Sequence, residues 1–213
     1  MITEPDVTLT DYLIALESAL FTYLLIGHGG QVAALGLWFA VFFGSVSLAA
    51  VAGGTVHGFF LDTSTLGYRV LWPLTLIAIG VTALSAWAIG ARVYFSPKVA
   101  FWITVGAFIL FAGYCLVVFF ITQSFFVAVI HYLPATVFLT VVFLMVYWGG
   151  RETPVFIGLV GLLLTFVAAG VQQGGLSLHP IYFNHNALYH LIQAVALFMI
   201  FWTARWWVTA GTL

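Results

Sequence analysis

The sequence predicts an all-α integral membrane protein, one domain over residues 1–213 built as a bundle of seven transmembrane helices. Three observations predict it. The chain is 64% hydrophobic and only 5% charged, with a mean hydropathy of +1.18, whereas a soluble domain is about one quarter charged. A chain of 213 residues cannot bury that much apolar surface in its own core, so lipid must serve as solvent. Seven stretches reach the ~20 apolar residues that a helix needs to cross the hydrocarbon, and the breaks between most of them are short.

The first stretch, 9–27, follows a polar, acidic N-terminal segment without the basic region of a signal peptide. It ends at Gly27-His28-Gly29-Gly30, where His28 reads as a solvated turn residue. The second, 31–60, is long enough to need tilt or to project past the bilayer, and stops at Asp62-Thr63-Ser64-Thr65. The third, 68–95, is equally long and ends at Ser96-Pro97-Lys98. The fourth, 99–121, holds the single cysteine, Cys115, so no intrachain disulfide forms. The fifth, 124–148, carries His131 three residues before Pro134, which frees a backbone carbonyl in mid-span. The sixth, 154–173, ends on Gln172-Gln173. The longest break, from about Gln172 to Asn184, reads as a lid or cap, and the seventh stretch is 185–208. Short links predict antiparallel neighbours.

Orientation follows from the basic residues. Arg92, Lys98, Arg151 and Arg205 fall on the side of the C-terminus, and Arg69 alone falls on the other. Four against one predicts the N-terminus outside and the C-terminus in the cytoplasm, in a bacterial inner membrane or a eukaryotic internal membrane. Glu4, Asp6 and Asp11 then lie outside, and Trp206-Trp207 reads as an aromatic anchor at the inner interface. The net charge of -1 excludes nucleic acid as a partner, since no basic patch could neutralise phosphates.

Ionisable groups inside a bilayer are costly and mark functional sites. On this topology His57, His131, His179, His185 and His190 map to the outer half, with Asp62 nearby and Glu17 near the middle of the first span. Asn186, His190 and Gln193 share one helical face and predict a polar stripe pointing into the bundle. Tyr189 lies beside it. His185, five residues from His190, joins that face only at a frayed helix start.

His57 near the outer end of span 2, Asp62 shortly after it, and His190 in the first turns of span 7 resemble the CREST group of membrane hydrolases. That group includes alkaline ceramidases, lipid-remodelling proteins and progestin/adiponectin receptors. Its pattern is Ser-x-x-x-His on span 2, an Asp near span 3, and His-x-x-x-His on span 7. Gly53 stands at the serine position and Asn186 at the first histidine of the pair. The resemblance implies a zinc ion held by His57, His190 and His185. It also implies a general base in Asp62 or Glu17, and orienting contacts from Asn186, Gln193 and Tyr189. The implied reaction is attack of metal-activated water on a lipid amide or ester. The competing reading is a non-enzymatic subunit of a larger membrane complex, whose histidines ligate haem or a pigment, or hydrogen-bond between helices. A proton-coupled carrier using Glu17 ranks last, because no inverted repeat is visible.

Overall fold

The computed structural model describes residues 2–26, 33–179 and 182–210; His28 lies outside them. Within them the chain forms seven helices: α1 (Pro5–Leu25), α2 (Ala33–Phe59), α3 (Leu66–Tyr94), α4 (Pro97–Phe120), α5 (Phe125–Gly150), α6 (Thr153–Gln173) and α7 (His185–Ala210). All seven are long and apolar enough to cross a membrane. α2 has 27 residues and α3 has 29. At 1.5 Å per residue these are about 40 and 44 Å long, beyond a hydrocarbon core of about 30 Å.

The boundaries follow local chemistry. α1, α4 and α6 begin with proline in the first turn, where its missing N–H costs nothing. The Thr65 hydroxyl caps α3 by accepting from Tyr68 N at 3.2 Å. Asn184 caps α7 with Oδ1, which accepts from Asn186 N at 2.9 Å and Ala187 N at 3.1 Å. α5 ends where Arg151 turns left-handed, at φ 56°.

Six helices close a ring in the order α1, α2, α3, α5, α6, α7 and back to α1. α4 stands outside it, packed on α3 and barely touching α5. The short link 121–124 therefore does not make α4 and α5 close neighbours along their length. Two interactions hold α4 on α3. The Tyr114 hydroxyl donates to Leu76 O at 2.8 Å, and Arg92 Nη1 donates to Thr104 Oγ1 at 3.1 Å. α5 takes the adjoining flank of α3, where Trp87 stacks on Phe138 with ring centroids 4.4 Å apart.

The interior of the ring differs at its two ends. Toward the C-terminus it is filled by aromatic rings. Phe21 stacks on Phe201 at 4.1 Å, and Phe143 meets Trp207 edge-on at 5.0 Å. Trp207 is 1% exposed and also lies against Phe39. This corrects the reading of Trp207 as an interfacial anchor: its position on α7 points the indole into the ring, and only Trp206 is partly exposed. Toward the N-terminus of the chain the interior is open. We call that end the N-face.

Small residues set the helix spacing at two seams. A Cβ on Gly161 of α6 would lie 2.7 Å from the Ala196 carbonyl of α7. A Cβ on Gly54 of α2 would lie 2.7 Å from the Asp11 Cβ of α1. The second approach brings the Asp11 carboxyl into the bundle.

Candidate functional site

The open half of the ring is a chamber of about 350 Å³, walled by all six ring helices and by no residue of α4. Its walls differ in chemistry. α1, α2 and α7 contribute Asp11, His57, Asn186, Tyr189, His190 and Gln193. α3, α5 and α6 contribute chiefly apolar groups, including Ile79, Val129, Leu133, Phe166 and Ala169, with Trp72 and Phe125 toward the N-face. The expected polar stripe of Asn186, His190 and Gln193 does face the interior, and Tyr189 joins it.

The threonines in the wall are less polar than their hydroxyls suggest. Thr75, Thr82, Thr136 and Thr165 each donate to a carbonyl four residues back, on Leu71, Ala78, Tyr132 and Gly161. A hydroxyl has one hydrogen, so these residues turn methyls and lone pairs to the chamber.

Two carboxylate–histidine pairs tie α1 to its neighbours. His190 Nε2 lies 3.2 Å from Asp11 Oδ1, and both side chains are nearly buried. The other ring nitrogen, Nδ1, lies 3.1 Å from Thr10 Oγ1. The Thr10 hydroxyl already faces its own helix carbonyls on Asp6 and Val7 at 2.9 and 3.0 Å. Either tautomer serves both contacts: with its proton on Nδ1 the ring donates to Thr10 and accepts from a protonated Asp11 carboxyl, and with its proton on Nε2 it donates to Asp11 and accepts from the Thr10 hydroxyl. The second pair is His57 and Glu4, with Nδ1 2.5 Å from Oε2. It is half-exposed, and its remaining ring nitrogen, Nε2, has no hydrogen bond to a described residue. Nearby, the Tyr12 and Thr55 hydroxyls meet at 3.0 Å.

The N-terminal segment and the α6–α7 connection close around this end. Thr3 N donates to Gly58 O at 3.0 Å, which lays the residues before α1 along the end of α2 and brings Glu4 to His57. Asn184 N donates to Asp6 Oδ2 at 2.9 Å. The connection that the sequence marks as a cap turns at Gly175 and pairs His179 with Phe183 through two backbone hydrogen bonds of 3.1 and 3.0 Å. Gln172 Nε2 donates to Asn186 Oδ1 at 3.4 Å across α6 and α7.

The other expected site residues stand elsewhere. Asp62 sits in an exposed turn, where Oδ1 accepts from Ser64 N at 2.9 Å; this bond holds its carboxyl below the usual carboxylate range. His185 is the half-buried first residue of α7 and does not line the chamber. Glu17 is half-buried on α1 and also lies outside the chamber wall; its Oε2 is buried without a hydrogen-bond partner among the described residues. His131 stacks on Tyr114 at 4.3 Å, between α5 and α4, away from the chamber. Glu4, Thr10, Asp11 and Tyr132 were not singled out as site residues from sequence.

A zinc ion in the chamber would draw on His57 and His190. A catalytic zinc takes three protein ligands and leaves one position open. Among the described residues no three His, Cys, Asp or Glu side chains form a group that could hold a metal. His190 has both nitrogens engaged by Asp11 and Thr10, and His57 has one engaged by Glu4. Of the three expected ligands, His57 and His190 line the chamber and His185 does not.

Fold and site together define a seven-helix bundle of membrane-crossing length and composition, with a chamber whose carboxyl and imidazole groups stand on α1, α2 and α7. The chain belongs to a family of unknown function, DUF6962, whose pattern matches residues 7–207. No curated protein and no solved structure matches it.

Proposed function

We propose that the chain is a multi-pass membrane protein that hydrolyses an amide or ester of an amphipathic lipid within this chamber, its N-face outside. The observation that carries the reading is His57 in the wall of an amphipathic cavity, with its Nδ1 paired to Glu4. A carboxylate on Nδ1 fixes the imidazole tautomer and orientation, and leaves Nε2 to act as the base. The apolar wall of α3, α5 and α6 suits an acyl chain, and the polar wall suits the linkage and head. His57 and His190, the two positions that match the CREST pattern, both stand in this wall.

The step uses the side chains of the chamber itself. A water oxygen bonds to the acyl carbon while His57 Nε2 takes one of its protons. The C–N or C–O bond then breaks, and the proton passes from His57 to the departing nitrogen or oxygen. The products are a carboxylic acid and an amine or alcohol. Asp11 and His190 hold α1 against α7 and so keep the polar wall in place.

A non-enzymatic membrane subunit is the second reading, favoured by one observation: each histidine pair joins two separate elements, α1 to α7 and the segment before α1 to α2, as structural ties do. Purified protein in lipid nanodiscs, offered a panel of fatty amides and esters, separates the two. The expected result is release of free fatty acid that persists in a chelator and falls about 10²–10⁴-fold in His57→Gln, the usual worth of a general base. The variant should keep its melting temperature. Release from no substrate, or equal release by a folded His57→Gln, would favour the subunit. Loss of release in chelator and its return with zinc would put the metal back.

A further inference from the structure

Arg92 is a cation whose charge no carboxylate balances. It is the third residue from the end of α3, at the end of the bundle opposite the N-face, and it does not line the chamber. Its Nη1 donates to Ala88 O at 3.3 Å and to Thr104 Oγ1 at 3.1 Å. Thr104 is free to accept, because its own hydrogen goes to Ala100 O at 2.8 Å. The guanidinium carbon lies 5.2 Å from the centre of the Trp38 ring, a cation–π contact. α3, α4 and α2 therefore hold the group by a carbonyl, a hydroxyl and a ring face.

What they leave is one edge. A guanidinium carries five N–H groups in a planar fork. The two on Nη1 are taken. Those on Nε and Nη2 meet no acceptor among the described residues, and the side chain is partly exposed. The Nε–Nη2 edge presents two parallel N–H groups, which match two oxygens of a phosphate. Of the six acidic residues in the chain, only Glu152 lies at this end, and it forms no ion pair with Arg92. A cation at membrane depth needs a partner.

Position says which anion reaches it. α3 exceeds the hydrocarbon by about 14 Å, about 7 Å at each end when shared equally, which puts Arg92 in the head-group layer. The guanidinium lies on the outside of the ring, where Trp38 of α2 meets Phe108 of α4 with ring centroids 6.3 Å apart. Phe108 is 50% exposed, so this groove opens to lipid.

We propose that the Nε–Nη2 edge of Arg92 binds the phosphate of an anionic phospholipid in the leaflet at this end. A zwitterionic lipid brings a second cation to a site that already holds one and has no carboxylate to receive it. Basic pockets between membrane helices take anionic head groups on this principle. The site stands apart from the chamber, and its ligand does not depend on what the chamber does.

Native mass spectrometry of the full chain in detergent, titrated with phosphatidylglycerol or phosphatidylcholine of the same acyl chains, tests it. Wild type should hold one phosphatidylglycerol about tenfold more tightly than phosphatidylcholine, the worth of a hydrogen bond between charged groups. Arg92→Gln should lose the preference. Arg92→Lys, which keeps the charge without the fork, should lose most of it. Lys98→Gln, at an exposed lysine of the same end, should keep it. Inorganic phosphate in large excess should not displace the lipid. Equal affinity of wild type for the two lipids overturns the proposal, whatever the variants do. So does a preference that survives undiminished in either Arg92 variant at unchanged melting temperature, or one that Lys98→Gln abolishes as fully. Displacement by inorganic phosphate overturns it too, since the ligand would then be a soluble anion.

Discussion

Asp11→Leu is expected to destabilise the bundle by about 1–3 kcal/mol, the usual cost of leaving a buried polar group without its partner. The substitution leaves His190 Nε2, on a side chain only 11% exposed, facing a leucine. The size of the effect is diagnostic. An ordinary interhelical hydrogen bond in a membrane protein is worth about 0.6 kcal/mol. A loss several times larger would identify a pair held out of the reach of solvent. The double variant Asp11→Leu with His190→Leu should recover most of the loss, because two apolar groups replace two polar ones together. Reversible unfolding in mixed micelles, read as a double-mutant cycle, measures this coupling. A single-variant loss near 0.5 kcal/mol would mean that the pair is solvated or unformed.

Gly161→Leu should be as damaging, for a steric reason. The Cβ position lies 2.7 Å from a backbone carbonyl of α7, 2.9 Å from Met199 Cβ and 3.1 Å from Ile200 Cγ1. A carbonyl in a helix cannot rotate aside as a flexible side chain does, so α6 and α7 must separate. Overpacking costs about 1–3 kcal/mol and occasionally more. A leucine against backbone belongs at the upper end. The separation also breaks the hydrogen bond from Thr203 Oγ1 to Pro154 O, 2.5 Å long. The same unfolding assay reads the loss. Gly113 on α4, where a Cβ would meet nothing within 4 Å, is the control, and Gly113→Leu should be close to neutral. Equal effects at the two glycines would contradict the packing described for α6 and α7.

The seven helices were legible because their signal is length and apolarity, which the bilayer thickness imposes on each segment alone. Predicted ends such as 154 and 185 fall within one residue of the observed ones. The ring order was not legible. Link length says which ends are near, and it does not say that Tyr114 and Arg92 hold α4 on the outside of α3. The α7 stripe was legible because Asn186, His190 and Gln193 share one face of a single helix.

The carboxylate on α1 is the instructive case. Depth in the segment drew attention to Glu17. The buried positions of α1 include Val7, Asp11, Ile14, Ser18, Phe21 and Leu25, spaced alternately four and three apart. That stripe runs through Asp11 and passes beside Glu17. The pattern was present in the sequence, as two polar residues interrupting an apolar face, and it points at Asp11. Glu4 carried no comparable signal. It reaches His57 only because the residues before α1 fold back along α2, a tertiary contact between positions 53 apart.

Photo-crosslinking tests the chamber most directly. A fatty amide carrying a diazirine near the end of its acyl chain is incubated with the protein in nanodiscs, irradiated, and the labelled peptides are mapped by mass spectrometry. Saturable labelling on α3, α5 and α6, at residues such as Ile79, Leu133 or Phe166, is the result this account predicts, with unlabelled amide competing it away. Labelling confined to the outward face of α4, at residues such as Phe108 or Phe119, and insensitive to competitor, would show a lipid that only bathes the bundle and would contradict it.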